Sequence, residues 1–330
     1  MSEKAANSAG SYRQLTRQWF FRNYRTEIMM FAVLVLGCLA ISIATPYFFI
    51  KANLLNICSQ ISTTAIMAIG MTMVIISGGI DLSVGTLLGF SGMMAAILLQ
   101  NTGNILLAIS VSLGIGLFFG CLNGYLIGYR KLPAFIVTLG TQQICSSMNY
   151  VITNGMSASK FPQAFSFLGK GKLIGDVPFY LVLIFVLFAL FIFIMQKIKF
   201  GRFLYATGSN EEAARISGIN TKLVVMITYA ISSIMAALAG LVMISRLMAC
   251  DPTYGKSAEM DVIAAVVIGG TSMAGGKGTL WGTVVGIFLV GVLRNALNLL
   301  GVNTFWQGTA IGVVIIVAVL AEQLTHNKKH

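Results

Sequence analysis

Long apolar runs separated by short polar links fill the sequence between residues 27 and 322. Most of these runs hold about 18 to 25 residues with few or no charges, which is long enough to cross a bilayer core of about 30 Å. None alternates as the strands of a membrane barrel do, so we expect helices, which satisfy their own backbone hydrogen bonds in lipid. The pattern predicts about ten spans, at 27–45, 54–76, 83–100, 104–128, 133–152, 178–196, 222–246, 257–274, 279–300 and 305–322.

The segment 257–274 is unlike the other predicted spans. Glu259 and Asp261 stand at its start, about 13 apolar residues follow them, and a glycine cluster ends it. Such a short run is typical of a broken or re-entrant helix. The predicted fold class is all-α: a polytopic membrane protein with about ten transmembrane helices and a short cytoplasmic helix, and whether 257–274 crosses completely stays open.

Composition agrees with this pattern. Of the 330 residues, 57% are hydrophobic and 10% are charged, and the mean hydropathy is +0.85, which excludes an ordinary soluble domain. The first apolar run follows a polar leader of about 26 residues and is itself about 18 residues long. Both lengths exceed those of a signal peptide, so we expect an uncleaved membrane anchor.

The net charge of +12 follows from the predicted topology. If the N-terminus is cytoplasmic and every span crosses, most lysines and arginines lie on the inner side of the membrane, as membrane proteins require. The excess of positive charge is then explained by the orientation of the chain in the membrane, and it does not indicate nucleic-acid binding. The predicted division is a cytoplasmic segment 1–26, one transmembrane domain 27–322 with a cytoplasmic loop 197–221, and a cytoplasmic tail 323–330, with both termini inside.

The sequence lacks the motifs of the common catalytic and nucleotide-binding sites. Its five cysteines show no C-x-x-C spacing, and its two histidines, His326 and His330, lie in the tail. An ordinary histidine triad and an H-E-x-x-H metal site are therefore excluded. The run GGKGT at 275–279 is similar to half of a phosphate loop, but Gly278 stands where Ser or Thr would meet magnesium. We predict no enzyme, no metal and no cofactor in this chain.

A charged stretch, TGSNEEAARISGIN at 207–220, interrupts the apolar pattern near the middle of the chain. Ser209 followed by Glu212 has the spacing of a capping box. Gly218 is the expected terminating glycine. Together these residues predict a short cytoplasmic helix over 210–217.

The same helix carries charges and small side chains. Glu211 and Arg215 are spaced to pair at i, i+4. Ala213, Ala214 and Ile216 lie beside those charges. Two interpretations follow: a capped surface helix that only keeps the loop in water, or a docking element for a cytoplasmic partner.

This loop resembles the cytoplasmic loop of ATP-binding-cassette (ABC) importer permeases of the ribose, arabinose and xylose type. The matching residues are Gly201, Arg202, Tyr205, Ala206, Gly208, Asn210, Ala213, Ala214, Ser217, Gly218 and Ile219. The resemblance implies that the loop is a coupling helix that contacts an ATPase. The residues expected to make that contact are Gly208, Asn210, Glu211, Glu212, Ala213, Ala214, Arg215, Ser217 and Gly218.

A second stretch, MTMVIISGGIDLSVGTLLGFSG at 71–92, is similar to another signature of that family. The matching positions are Gly78, Gly79, Asp81, Leu82, Ser83, Gly85 and Gly89. A charge at mid-membrane costs roughly 2.5–3.5 kcal/mol on insertion scales, so Asp81 should be paired or lie near a boundary. We expect it to cap the next helix by accepting the N–H of Ser83 or Val84. A direct role in the substrate path is the alternative.

A third stretch, at 267–287, also resembles the family. Its Gly269-Gly270 and Gly278-Thr279 parallel Gly78-Gly79 and Gly85-Thr86, which indicates an internal duplication as in other transporters. Tight helix packing explains the same glycines equally well.

Polar side chains inside the spans are candidates for a hydrophilic path. The predicted path residues are Asn56, Gln60, Thr63, Asn123, Asn149, Asn295 and Asn298. Amides and hydroxyls suit a neutral polyhydroxylated solute, although each one alone is as well explained by a hydrogen bond between helices. Arg294 is the exception, because an intramembrane cation needs a partner that the sequence does not identify.

The resemblance implies the rest of a transport machine in a bacterial inner membrane. Two permease chains, expected to be identical, would enclose the path, and a cytoplasmic ATPase would bind the ATP and magnesium. A periplasmic or extracellular sugar-binding protein would deliver the cargo, with the external segments 153–177 and 247–260 as its contacts. An ion-driven secondary sugar transporter and a passive polyol channel are the alternatives.

Overall fold

The computed structural model describes residues 25–303, 306–310, 312, 313 and 316. The helices within this part of the chain are α1 (Arg25–Ala44), α2 (Lys51–Ile76), α3 (Val84–Thr102), α4 (Ile105–Gly128), α5 (Ala134–Thr153), α6 (Phe167–Lys170), α7 (Phe179–Lys197), α8 (Lys199–Ser209), α9 (Glu211–Ile216), α10 (Thr221–Leu247), α11 (Ala258–Ile268) and α12 (Leu280–Leu299). Four short strands join them, namely β1 (Ala158–Ser159), β2 (Lys172–Ile174), β3 (Val177–Pro178) and β4 (Ala249–Cys250). The predicted segment 1–26, apart from its last two residues, lies outside the described residues, as do the tail 323–330 and most of the span 305–322.

Six of the described helices are long and apolar enough to cross a membrane: α2, α3, α4, α7, α10 and α12. In α1 the apolar part, Ile28–Ala44, is slightly shorter. Helix α11 has 11 residues and is therefore about 16 Å long, well short of a bilayer core of about 30 Å. The structure confirms an all-α polytopic membrane protein, and within the predicted span 257–274 it has a helix only over Ala258–Ile268.

Helix α10 lies at the centre and packs on α2, α3 and α4. Its contact with α4 runs along a ladder of glycines, Gly116, Gly120, Gly124 and Gly128, one every four residues on a single face. A Cβ added at Gly120 would lie 2.7 Å from the Cα of Ala230, so only glycine permits this approach. The two backbones therefore touch along the C-terminal half of α4.

The links between helices sort into two groups, one at each end of the helices. At one end β1 pairs antiparallel with β4, so the segments predicted to be external, 153–177 and 247–260, meet there. At the same end Lys51 pairs with Asp176 at 2.6 Å. At the other end lie α8, α9 and the glycine-rich links after α2 and α11. This grouping is the one that alternate crossing of the spans predicts.

Candidate functional site

The three glycine-rich stretches that the sequence shows separately meet at one junction. The Gly276 N–H donates to the carbonyl of Ile76, the last residue of α2, at 2.8 Å. Gly208 of α8 sits against both, since a Cβ there would lie 1.7 Å from the Ile76 oxygen and 2.8 Å from the Gly276 nitrogen. The Tyr205 hydroxyl donates to the carbonyl of Gly278 at 2.7 Å, and burial raises the pKa of Tyr205 to about 12. Helix α8 is thus fixed between the end of α2 and the link after α11.

The short helix α9 follows α8 after a single extended residue, Asn210, with φ −162°. The Asn210 side-chain oxygen accepts the N–H of Ala213 at 2.9 Å and so caps α9. The predicted capping box of Ser209 and Glu212 is therefore wrong: Ser209 is the last residue of α8 and makes no cap. The chain turns one residue later than the Ser–Glu spacing indicates.

The charges of α9 are paired differently from the prediction. Arg215 pairs with Glu212 at 2.5 Å, one residue closer than the expected i, i+4 partner Glu211. Glu211 instead accepts hydrogen bonds from Lys131, in the link after α4, and from the Thr221 hydroxyl at 3.0 Å. Burial tends to raise the pKa of Glu211, but these two hydrogen bonds outweigh it, and the pKa is lowered. One side of α9 is thereby tied to the membrane helices.

The other side of α9 is open to solvent. Ala214 is buried, whereas Ala213 is exposed and Ile216 is 76% exposed. The Ser217 hydroxyl donates to the carbonyl of Ala213 at 2.8 Å. Gly218 ends the helix with φ +84°, as predicted. The helix therefore presents a small apolar surface at the end of a fixed support.

Asp81 lies in the link between α2 and α3 and is fully buried. Its carboxylate accepts the Ser83 N–H at 3.0 Å, as predicted, and also the hydroxyls of Ser83 at 2.6 Å and Ser232 at 2.9 Å. Ser232 belongs to the central helix α10. Asp81 therefore holds this link against α10, and it does not line the cavity described below.

The signature glycines permit close backbone contacts around Asp81. Gly79 lies against the hydroxyl of Tyr229, at 2.3 Å from an added Cβ. Gly85 lies against the side chain of Glu259 and the carbonyl of Gly255. The starts of α3 and α11 consequently meet inside the bundle.

The glycine turns after α2 and α11 have the same backbone geometry. Gly78 has φ +85° and its N–H donates to the carbonyl of Ile75 at 2.9 Å. Gly270 has φ +89° and its N–H donates to the carbonyl of Val267, also at 2.9 Å. Positive φ at these positions favours glycine. The repeated turn supports the internal duplication that the sequence indicates.

A polar cavity of about 440 Å³ lies between α2, α10, α11 and α12. This volume is within the range of about 300–1,000 Å³ that is common for small-molecule sites. Its polar lining residues are Gln60, Thr63, Thr64, Arg246, Lys256, Ser257, Asp261, Arg294, Asn298 and Gln307. The cavity offers hydroxyls, amides and both signs of charge to a bound solute.

The partner of Arg294 is Asp261, at 2.6 Å across the cavity wall. The side chain of Asp261 is 15% exposed and that of Arg294 is 39% exposed, so the pair faces the cavity. Arg246 donates to the Ser59 carbonyl, to the Ser59 hydroxyl at 2.9 Å and to the Ser62 hydroxyl at 3.3 Å. Arg246 is not among the candidate residues predicted from the sequence, because its contacts with Ser59 and Ser62 come from a helix distant in sequence.

Three of the predicted path residues, Gln60, Thr63 and Asn298, line this cavity. Thr64, on the same helix α2, lies beside Gln60 and Thr63 in the lining. Asn56 lies on α2 one turn before Gln60, is exposed, and is not part of the cavity lining.

The other predicted path residues lie away from the cavity. Asn295 forms a reciprocal amide pair with Asn53, at 2.8 and 3.0 Å. Asn123 donates to the Ser83 hydroxyl at 3.3 Å and accepts from Thr141 at 2.6 Å. Asn149 is buried and is likewise not part of the cavity lining. Asn123 and Asn295 thus make hydrogen bonds of the kind that the alternative interpretation describes.

Comparisons with known proteins match nearly the whole chain. The family model described as "Branched-chain amino acid transport system / permease component" matches residues 53–319. The chain is 40% identical to the ribose import permease protein RbsC of Haemophilus influenzae, over 92% of this chain and 95% of that protein. It is 34% identical to the xylose transport system permease protein XylH of the same organism, over 93% and 98%. It is 36% identical to a probable ABC transporter permease protein, y4mJ, of Sinorhizobium fredii, over 99% and 97%. No solved structure matches the chain.

Proposed function

The chain belongs to the permease-component family of the branched-chain amino acid transport type, and from this premise we propose that it is the membrane subunit of an ABC importer for a simple sugar. The relatives named for ribose and xylose import support a sugar as the cargo. The subunit is not an enzyme, because ATP and magnesium belong to a separate ATPase. The finer proposal is a pentose, a hexose or a sugar-like signal molecule as cargo.

One observation carries the coupling mechanism: the exposed helix α9 is mechanically joined to the wall of the cavity. Gly208, near the end of α8 and three residues before the start of α9, contacts the last residue of α2, Ile76. Thr64, about three turns earlier on α2, lines the cavity. Because a helix rises 1.5 Å per residue, the two points are about 18 Å apart on one rigid element. A displacement of α9 is therefore transmitted to the cavity through α2.

The proposed cycle is alternating access driven from α9. The ATPase docks on the stretch 207–220, and its closure on binding ATP moves α8 and α9 together. Movement of α2 against α12 then alters the access to the cavity between them. Differential binding of the partner to the two conformations supplies the energy for the change.

The two ends of the helices face opposite sides of the membrane, and each end is proposed to meet its own partners. We propose that 207–220 and both termini are cytoplasmic in a bacterial inner membrane. The paired external segments, joined by β1 and β4, would form the contact for the sugar-binding protein. A second identical chain would complete the translocation path.

Reconstitution tests this function. The full chain is placed in proteoliposomes with a candidate ATPase and a candidate sugar-binding protein from the same organism, and uptake of radiolabelled ribose and xylose is measured. Uptake that needs ATP, the ATPase and the binding protein supports the proposal. Flux through the chain alone would identify a passive channel, and uptake that needs no ATPase but collapses with the proton gradient would identify a secondary transporter.

A further inference from the structure

A cluster of two tyrosines and two cations lies at the end of α4, on the same side as α9. The rings of Tyr125 and Tyr129 are stacked, with centroids 5.5 Å apart and planes 23° from parallel. The Arg130 guanidinium lies 5.5 Å from the centroid of Tyr125, and the Lys222 ammonium lies 5.9 Å from that of Tyr129. Both distances are within the range of cation–π attraction. All four side chains are at least partly exposed.

The glycine ladder brings these four residues together from two helices. A Cβ at Gly128 would lie 2.7 Å from the backbone oxygen of Lys222, so the end of α4 touches the start of α10. Arg130 follows the end of α4 and Lys222 belongs to the first turn of α10. The two cations therefore lie on either side of the stacked pair Tyr125 and Tyr129. Neither cation pairs with a carboxylate within the part of the chain that the structure describes. The cluster is a fixed arrangement with two positive charges unpaired.

The cluster continues an exposed apolar strip along α4. Leu117, Phe118 and Leu122 are all exposed, and α4 leaves most of its apolar surface uncovered. Phe118, Leu122, Tyr125 and Tyr129 follow one another at spacings of three and four residues, so they share a face of the helix. A strip that passes from apolar side chains to tyrosines to cations matches the passage from acyl chains to the headgroup region of a bilayer.

We propose that Tyr125, Tyr129, Arg130 and Lys222 form a binding site for the phosphate of an anionic phospholipid. Its acyl chains would lie along the exposed strip of α4. Charge complementarity selects this occupant, since two unpaired cations at the membrane boundary attract a negatively charged headgroup. The continuous apolar strip selects a lipid over a free phosphate or an acidic protein surface, neither of which would use Phe118 and Leu122.

The site adjoins the two contacts that hold α9. Lys131 and Thr221, which both donate to Glu211, are the sequence neighbours of Arg130 and Lys222. A lipid phosphate bound between Arg130 and Lys222 restrains both neighbours at once. Bound lipid therefore steadies the support of α9, and this inference does not depend on the identity of the transported solute.

Native mass spectrometry of the full chain, released from detergent with defined lipids, tests the proposal. Dioleoyl phosphatidylglycerol is titrated against wild type and against the double variant Arg130→Gln with Lys222→Gln. We expect the tightest phosphatidylglycerol site to weaken at least about tenfold in the variant, since each cation near the surface contributes to lipid attraction. Phosphatidylcholine should show no comparable site in either protein. The second double variant, Lys197→Gln with Lys199→Gln, removes the same charge from the same end without touching the tyrosines and should change binding less than twofold.

Three outcomes overturn the proposal. An equal loss in the Lys197 and Lys199 control would show only a general attraction to the basic end. Displacement of the lipid by millimolar inorganic phosphate would show a plain anion site. Unchanged phosphatidylglycerol binding in the Arg130 and Lys222 variant, with weaker binding of the ATPase instead, would show a protein contact. Circular dichroism of each variant checks that the helices are intact, and Tyr125→Leu, which keeps both cations, should weaken binding by an intermediate factor.

Discussion

At one end of the helices the glycine-rich links meet backbone to backbone at a single junction, whereas at the other end exposed ion pairs and short strands join the links, beside a close contact of Gly169 with the backbone of Arg246. The junction of Ile76, Gly208 and Gly276 leaves no room for a single added carbon. The opposite end depends on pairs such as Lys51 with Asp176, whose side chains are more than half exposed.

This contrast indicates that displacements are transmitted mainly at the junction and that the contacts of the other end mainly close loops. Close-packed backbone has few alternative arrangements, so a displacement at one side of the junction reaches the other. Exposed ion pairs contribute little and rearrange readily in water. Substitutions at the two ends should therefore differ in size and in kind.

The largest expected effect is at Gly208. In Gly208→Leu the side chain would collide with the Ile76 carbonyl, and we expect a loss of stability of about 3 kcal/mol or more, at the upper end for overpacking. Thermal unfolding of the purified protein in detergent measures the effect. Gly114→Leu in α4 is the matched control, because an added Cβ at Gly114 meets nothing within 4 Å. Equal melting temperatures of the Gly208→Leu and Gly114→Leu proteins would contradict a close-packed junction.

Asp81 and Asp176 compare a buried carboxylate with an exposed one. Asp81→Ala leaves the donors of Ser83 and Ser232 without an acceptor, which should cost about 1–3 kcal/mol or more. Asp176→Ala, at the exposed end, should leave the melting temperature close to that of wild type. Asp81→Asn keeps one acceptor and should fall between them. Equal effects of the two alanine substitutions in thermal unfolding would remove the distinction between the ends.

Ile216 and Leu106 compare function at the two ends, since they are 76% and 75% exposed. Ile216→Ser should leave the melting temperature unchanged but lower ATPase binding and ATP-dependent uptake by about tenfold, as loss of an interface anchor does. Leu106→Ser, at the start of α4 and on the side opposite to α9, should leave the melting temperature, ATPase binding and uptake unchanged. Full uptake and full ATPase association in Ile216→Ser would refute docking on α9.

The sequence predicted those features that depend on local periodicity and composition. The apolar runs placed the long helices to within about three residues, and Gly218 identified the end of α9, but the apolar pattern did not predict α6 or α8. The interrupted segment around α11 was visible because Glu259 and Asp261 shorten its apolar run. Each of these features is indicated by residues within about twenty positions of it, so no tertiary information is needed to predict it.

The sequence predictions fail where the partner of a polar side chain comes from a segment that is distant in sequence. Glu211 is spaced for Arg215 but is bound by Lys131, 80 residues away, so the helix pairing rule failed. Arg294 finds Asp261 only because α11 and α12 pack together. The amides of Asn123 and Asn295 have the composition of a solute path, but their neighbours in space satisfy them.

The smallest expected effect concerns pH at the exposed end. Hydrogen bonds from Lys51 and Lys172 lower the pKa of Asp176 to about 2. Because the native pKa lies below the ordinary value of about 4, the contribution of the pair to stability is complete above pH 4 and is lost as the pH falls towards 2. The difference in melting temperature between wild type and Asp176→Asn should therefore be small and constant from pH 7 to about 4, and should vanish near 2. A difference that persists at pH 2 would show that Asp176 acts through packing instead of charge, and the contrast between the two ends would then rest on the junction alone.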